Sequence, residues 1–169
     1  MGRDKITMNG LPAKVAGKDL KTGDRAPDFM LTGNALETVK KTDFDGKVLV
    51  ISCVPSLDTP VCSLETRRFN MEVDKLPEGV IVLTVSRDLP FAQTRWCAAN
   101  GVKKVMTASD YRDYGFARDY GVLLEDLGLL TRAVFVVDKE GIIKYIQFVP
   151  EVTQEPDYEE VLNEVKKLL

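Results

Sequence analysis

Two short runs constrain this chain more than any other feature. Lys47 to Val54 reads KVLVISCV and Val80 to Val85 reads VIVLTV, both almost continuously apolar and rich in β-branched residues. That is the pattern of a strand covered on both faces. A helix is predicted between them, from about Pro60 into the Lys75 region. Strand, helix, strand in this order must pair in parallel and cross over right-handed. The chain has 169 residues, a length that suits one domain, residues 1–169, around one main core.

The flanking segments extend this unit. Asn9-Gly10 is a strong two-residue turn signal and predicts a hairpin between Ile6–Met8 and Pro12–Val15. Short strands are expected at Asp28–Leu31, Glu37–Val39 and Lys104–Thr107, and helices at Pro90–Asn100 and Tyr111–Tyr120. Asp88 is placed to cap the helix at Pro90, with Gly101 behind it. Ala133–Val137 and Ile142–Phe148 read as an antiparallel hairpin, and Asp157–Leu169 as an amphipathic terminal helix. The sum is an α/β, thioredoxin-like fold: a mixed central sheet flanked by helices, with an added N-terminal β-hairpin.

Composition narrows the chemistry. The chain has no histidine, which removes Ser-His-Asp and Cys-His pairs and His-ligated zinc and haem. Three cysteines, Cys53, Cys62 and Cys97, are too few for an all-thiolate metal site and odd for a disulfide scaffold. Catalysis must then use thiols, carboxylates, Lys, Tyr or Arg. A net charge of −3 argues against nucleic acid or an anionic membrane as partner. No apolar run reaches the roughly 18 residues of a membrane span. Without an apolar signal core after Met1-Gly2-Arg3-Asp4-Lys5, a cytoplasmic location is expected.

The three cysteines sit in different settings. Pro60 suits a first helical position, which makes Thr59 the cap and puts Cys62 in the first turn. Free amides and the positive end of the helix dipole there favour a thiolate. The alternative is a thiol that fills an apolar slot beside a plain helix cap. Cys53, inside VLVISCV, reads as a buried and unreactive thiol. Cys97, late in the helix Pro90–Asn100, is either a resolving thiol or a packing residue. Arg132 precedes the apolar strand Ala133–Val137. It forms either a surface salt bridge or a permanent charge near the thiolate, able to hydrogen-bond a substrate oxygen.

The string Pro55-Ser56-Leu57-Asp58-Thr59-Pro60-Val61-Cys62 contains Pro-x-x-x-Thr-x-x-Cys, which resembles the active-site motif of the peroxiredoxin family. SRDLPFAQTRWC at Ser86–Cys97, TRAVFVVD at Thr131–Asp138 and EVTQEPDY at Glu151–Tyr158 extend the resemblance to the bacterial thiol peroxidase branch. It implies that Cys62 is the peroxidatic cysteine, that Pro55, Thr59 and Arg132 enclose the peroxide, and that Cys97 is the resolving cysteine on the same chain. It further implies hydrogen peroxide or alkyl hydroperoxides as substrates, thioredoxin or a similar thiol donor as reductant, a homodimer, and no metal, flavin or haem. Cys62-Ser63-Leu64-Glu65 lacks the second cysteine of a C-x-x-C pair, which counts against ordinary dithiol exchange. Two competing readings are a redox sensor without turnover and a thioredoxin-like interaction module whose cysteines only pack.

Overall fold

The computed structural model describes residues 3–169. β1 (Thr7–Met8) and β2 (Leu11–Pro12) form the expected hairpin about Asn9-Gly10, whose φ angles are 54° and 78°. Positive φ at both central residues is what a type I′ turn needs. The strand expected through Val15 is interrupted. β3 (Val15–Ala16) leaves the hairpin and pairs with β9 (Leu123–Leu124), which also pairs with β10 (Leu129–Leu130). Two-residue strands show no alternation, so neither β9 nor β10 was legible as periodicity.

The main sheet contains β4 (Met30–Gly33), β5 (Thr38–Lys40), β6 (Val48–Cys53), β7 (Val80–Ser86), β8 (Met106–Ser109), β11 (Ala133–Val137) and β12 (Ile143–Phe148). Their spatial order is β12-β11-β6-β7-β8-β4-β5. β6, β7 and β8 run parallel and the other pairs antiparallel, which makes the sheet mixed as expected. β4, β5 and β8 each start one or two residues later than the sequence suggested.

The helices are α1 (Pro60–Val73), α2 (Pro90–Asn100), α3 (Gly115–Asp119) and α4 (Tyr158–Lys166). Alternation along the central strands splits the core in two. Val48, Val50, Val82, Val134 and Val136 face α1, α2 and α4. Leu49, Ile51, Cys53, Leu83, Val85 and Phe135 face α3 and the N-terminal segments. Among the described residues no helix is long and apolar enough to cross a membrane.

Two local expectations are corrected. Asp88 does not cap α2: the N-cap is Leu89, without a side-chain bond, and the Asp88 carboxylate turns to the loop before α1. The helix expected over Tyr111–Tyr120 is only α3. The Arg87 guanidinium takes the carbonyls of Asp110 and Asp113 at 2.5 and 2.7 Å, holding the segment before α3 in another conformation.

Topology then sets the site. β6 is a central strand, and its carboxyl end opens into the loop that leads to α1. β11 is antiparallel to β6, with Ala133 opposite Cys53. The residue before β11, Arg132, therefore lies level with the start of that loop.

Candidate active site

The Thr59-Pro60 pair starts α1 as its chemistry predicts. Thr59 is extended (φ −80°, ψ 145°), and its Oγ1 accepts the Cys62 N–H at 3.2 Å while donating to the Ser56 carbonyl at 3.2 Å. Pro60 occupies the first helical position, where a missing N–H costs nothing. Cys62 is the third residue of α1, 0 % exposed. Its carbonyl accepts the Thr66 hydroxyl at 2.9 Å. Pro55 is buried in the loop between β6 and α1.

Arg132, 1 % exposed, closes the site from β11. Nη2 donates to Cys62 Sγ at 3.0 Å, Nη1 to the carboxylate of Glu65, and Nε to the Val152 carbonyl at 2.8 Å. Glu65 accepts a second bond from Ser52 Oγ at 2.9 Å. A buried cation is costly unless paired and hydrogen-bonded, and here both conditions hold. Burial works against the Arg132 charge, but Glu65 and the Cys62 sulfur outweigh it and hold the guanidinium above its ordinary pKa. Burial pushes the Glu65 carboxyl up, opposed by Arg132 and Ser52. Of the two readings of Arg132, the surface salt bridge is therefore excluded. Three of the five guanidinium N–H donors are engaged, which leaves two for a further oxygen acceptor.

The structure thus brings Thr59, Cys62 and Arg132 together, with Pro55 in the connecting loop. Cys97 lies elsewhere. It is half-buried on α2, 3.7 Å from the Thr107 hydroxyl on β8, and burial raises its pKa. Cys53 is 0 % exposed and packs on the opposite face of the sheet from Cys62. Burial drives its thiol well above its ordinary pKa, with Glu65 and Asp110 adding to the shift. All three thiols are free.

Glu65, Ser52 and the Val152 carbonyl were not legible as parts of this site. A signal for Glu65 did exist. Cys62, Glu65, Thr66 and Phe69 form one buried stripe of α1 at helical spacing, and an acidic residue on such a stripe demands a cation.

Such an arrangement, on this sheet order, defines a class of protein. A family model described as Redoxin matches residues 21–162, and the chain belongs to that family. A thiol peroxidase of Oceanobacillus iheyensis is 51% identical over 162 residues, covering 96% of this chain and 98% of the relative. A thiol peroxidase of Bacillus subtilis is 48% identical over 165 residues, with 98% of each chain covered. Among solved structures, a peroxiredoxin-like protein from Aquifex aeolicus superimposes with a TM-score of 0.91 at 45% identity, covering 98% of each chain.

Proposed function

We infer that this chain is a thiol peroxidase of the peroxiredoxin type, and we propose Cys62 as its peroxidatic and Cys97 as its resolving cysteine. The observation that carries the proposal is the buried Arg132, which donates to Cys62 Sγ at 3.0 Å while Glu65 and Val152 fix its plane.

The proposed cycle has three steps. Cys62 sulfur, as thiolate, attacks one peroxide oxygen; the O–O bond breaks and the other oxygen leaves as hydroxide or alkoxide, which is then protonated. The sulfur, oxidised by two electrons, becomes a sulfenic acid. Cys97 then attacks that sulfur, forming a disulfide and releasing water. A dithiol donor, for which we propose thioredoxin, restores both thiols by exchange. We further propose a homodimer acting in the cytoplasm.

Thiolate formation is not the main source of rate. Full ionisation of an ordinary thiol gains about thirtyfold at neutral pH, and the accompanying loss of nucleophilicity returns about tenfold of it. The larger effect in this proposal is geometric and electrostatic. Donors fixed before the reaction hold the peroxide in line and stabilise charge on the leaving oxygen, an effect worth several kcal/mol. In this proposal Arg132 supplies that hold through its two remaining N–H donors. The Thr59 hydroxyl, which donates to the Ser56 carbonyl at 3.2 Å, joins it only by turning to the peroxide, and buried Pro55 would shield the sulfur from water.

The test is peroxide consumption by the purified protein, with and without dithiothreitol or thioredoxin. Cys62→Ser abolishes turnover, whereas Cys53→Ser retains most of it. Equal losses in the two folded variants overturn the assignment. A single stoichiometric oxidation, without turnover in reductant, indicates a sensor instead.

A further inference from the structure

Asp88 lies outside the Cys62–Arg132 cluster yet touches the loop that builds it. Its Oδ1 accepts Ser56 Oγ at 2.6 Å; its Oδ2 accepts the Leu57 N–H at 2.8 Å and Ser86 Oγ at 2.7 Å. Among the described residues the carboxylate has three donors and no salt bridge. Ser56 carries the connection onward. Its Oγ accepts the Asp58 N–H at 3.1 Å, and its carbonyl accepts both the N–H and the hydroxyl of Thr59, each at 3.2 Å. Thr59 Oγ1 then accepts the Cys62 N–H. Asp88 therefore holds the far end of a hydrogen-bonded path to the nucleophile's own amide.

The same residue stands at the root of the second thiol's helix. It is two positions before Pro90, where α2 begins without a side-chain cap. Its carbonyl accepts the Ser109 hydroxyl from β8. Ser86 Oγ, which donates to Asp88, accepts Gln93 Nε2 of α2 at 2.9 Å. One carboxylate thus joins the loop before Cys62 to the start of the helix bearing Cys97.

The sheet order shows why that joint matters. Cys62 is held by Arg132 at the head of β11 and Cys97 by Thr107 on β8. β6 and β7 lie between, so these supports are three strand spacings apart, roughly 14 Å. A disulfide needs Cα atoms within about 7 Å. Both thiols pack on the same face of the sheet and both are free, so in the proposed cycle a helix start and its loop move along that face to join them.

We propose that Asp88 is a positioning residue for the peroxidase reaction: it holds the Pro55–Thr59 loop closed for attack by Cys62 and must release that loop before Cys97 can reach the sulfur. The proposal rests on the assignment of Cys62 and Cys97 above. Its signature is a change of opposite sign in two successive steps. Removing the carboxylate loosens the pre-formed site, which slows oxidation by peroxide, and lowers the barrier to opening, which speeds disulfide formation. General destabilisation does not do this.

Asp88→Ala and Asp88→Asn are compared in the full chain by stopped flow with hydrogen peroxide. Trp96, the single tryptophan, is buried and adjacent to Cys97, and serves as reporter. In Asp88→Ala the second-order oxidation of Cys62 falls about tenfold, as the loss of charged hydrogen bonds implies. The following peroxide-independent phase becomes several times faster. Asp88→Asn can still accept from Leu57 and stays within about threefold of the wild type in both steps. Both phases slowed by a common factor, or neither changed, overturn the proposal. Amide exchange of the dithiol protein without peroxide supplies a separate arm: in Asp88→Ala, protection falls together over residues 56–62 and 89–94. Loss in one segment alone also overturns it. If wild-type Cys62 does not react with peroxide, the peroxidase assignment fails, and the exchange arm alone decides whether Asp88 joins loop to helix.

Discussion

Arg132 shows how much one side chain depends on distant partners. It bonds Cys62 and Glu65, 70 and 67 residues upstream, and the Val152 carbonyl 20 residues downstream. Lysine in its place keeps the charge but loses the planar fork, so it can hold neither the three present partners nor two peroxide oxygens. Arg132→Lys is therefore expected to react with peroxide at least tenfold more slowly than any change in Cys62 ionisation accounts for. Absorbance titration of the thiolate beside the second-order rate constant checks this; a rate that merely follows the ionised fraction removes the transition-state role. The same dependence explains what was legible. Thr59, Pro60 and Cys62 were readable because a cap, an N1 proline and a first-turn thiol are local matters. Glu65 was not, because a helical glutamate reads as solvated until its cation arrives from β11. Asp88 was misread for the converse reason: Asp-x-Pro looks like a local cap, while two of the three donors that claim it, Ser56 and Leu57, lie 32 and 31 residues away.

Among the elements, long buried strands announce themselves and short ones do not. β6, β7 and β11 were recognisable from β-branched runs, whereas β9 and β10 owe their existence to the partner that lies beside them. The N-terminal hairpin was predicted, but not what it rests on. Glu151, just past β12, accepts Thr7 Oγ1 at 3.0 Å, the Gly10 N–H at 2.8 Å and the Asn9 N–H at 3.3 Å, together with the N–H and hydroxyl of Thr153 at 2.8 and 2.6 Å. The Thr153 bonds, then Gly10, lower its pKa to about 2. The folded value lies below the ordinary 4.5, so the unfolded state binds the proton more readily. The stabilisation is complete above about pH 4.5 and is lost as pH falls through about 2. Amide protection of Gly10 is accordingly expected to decline over that interval in the wild type. In Glu151→Gln it should already be low at neutral pH and change little on acidification. An unchanged Gly10 profile in the variant removes the clamp.

At the scale of the whole molecule one face of the sheet carries Cys62 at the start of α1 and Cys97 in the last turns of α2. With the thiols supported on β11 and β8, the disulfide form is expected to exchange amides faster than the dithiol form over residues 59–66 and 91–99, while β6 and β7 keep equal protection. Equal protection throughout, with the disulfide verified by mass, refutes local unwinding. In Cys97→Ser, one equivalent of peroxide should be consumed and a sulfenic acid trapped at Cys62, seen as one added oxygen on that peptide. The path that fixes Arg132 also has a consequence for the making of the chain. Val152 accepts Arg132 Nε, and its own N–H is bonded to the Thr7 carbonyl at 2.8 Å, so the site joins residues from both ends of the sequence. About 90 residues separate Cys62 from Val152, which is roughly 5–18 s of synthesis. For the first 70 of those residues Cys62 has no arginine to bond, and for the last 20 Arg132 lacks the carbonyl that fixes it. The fixed plane of Arg132 therefore exists only after β12 and the turn beyond it have been made.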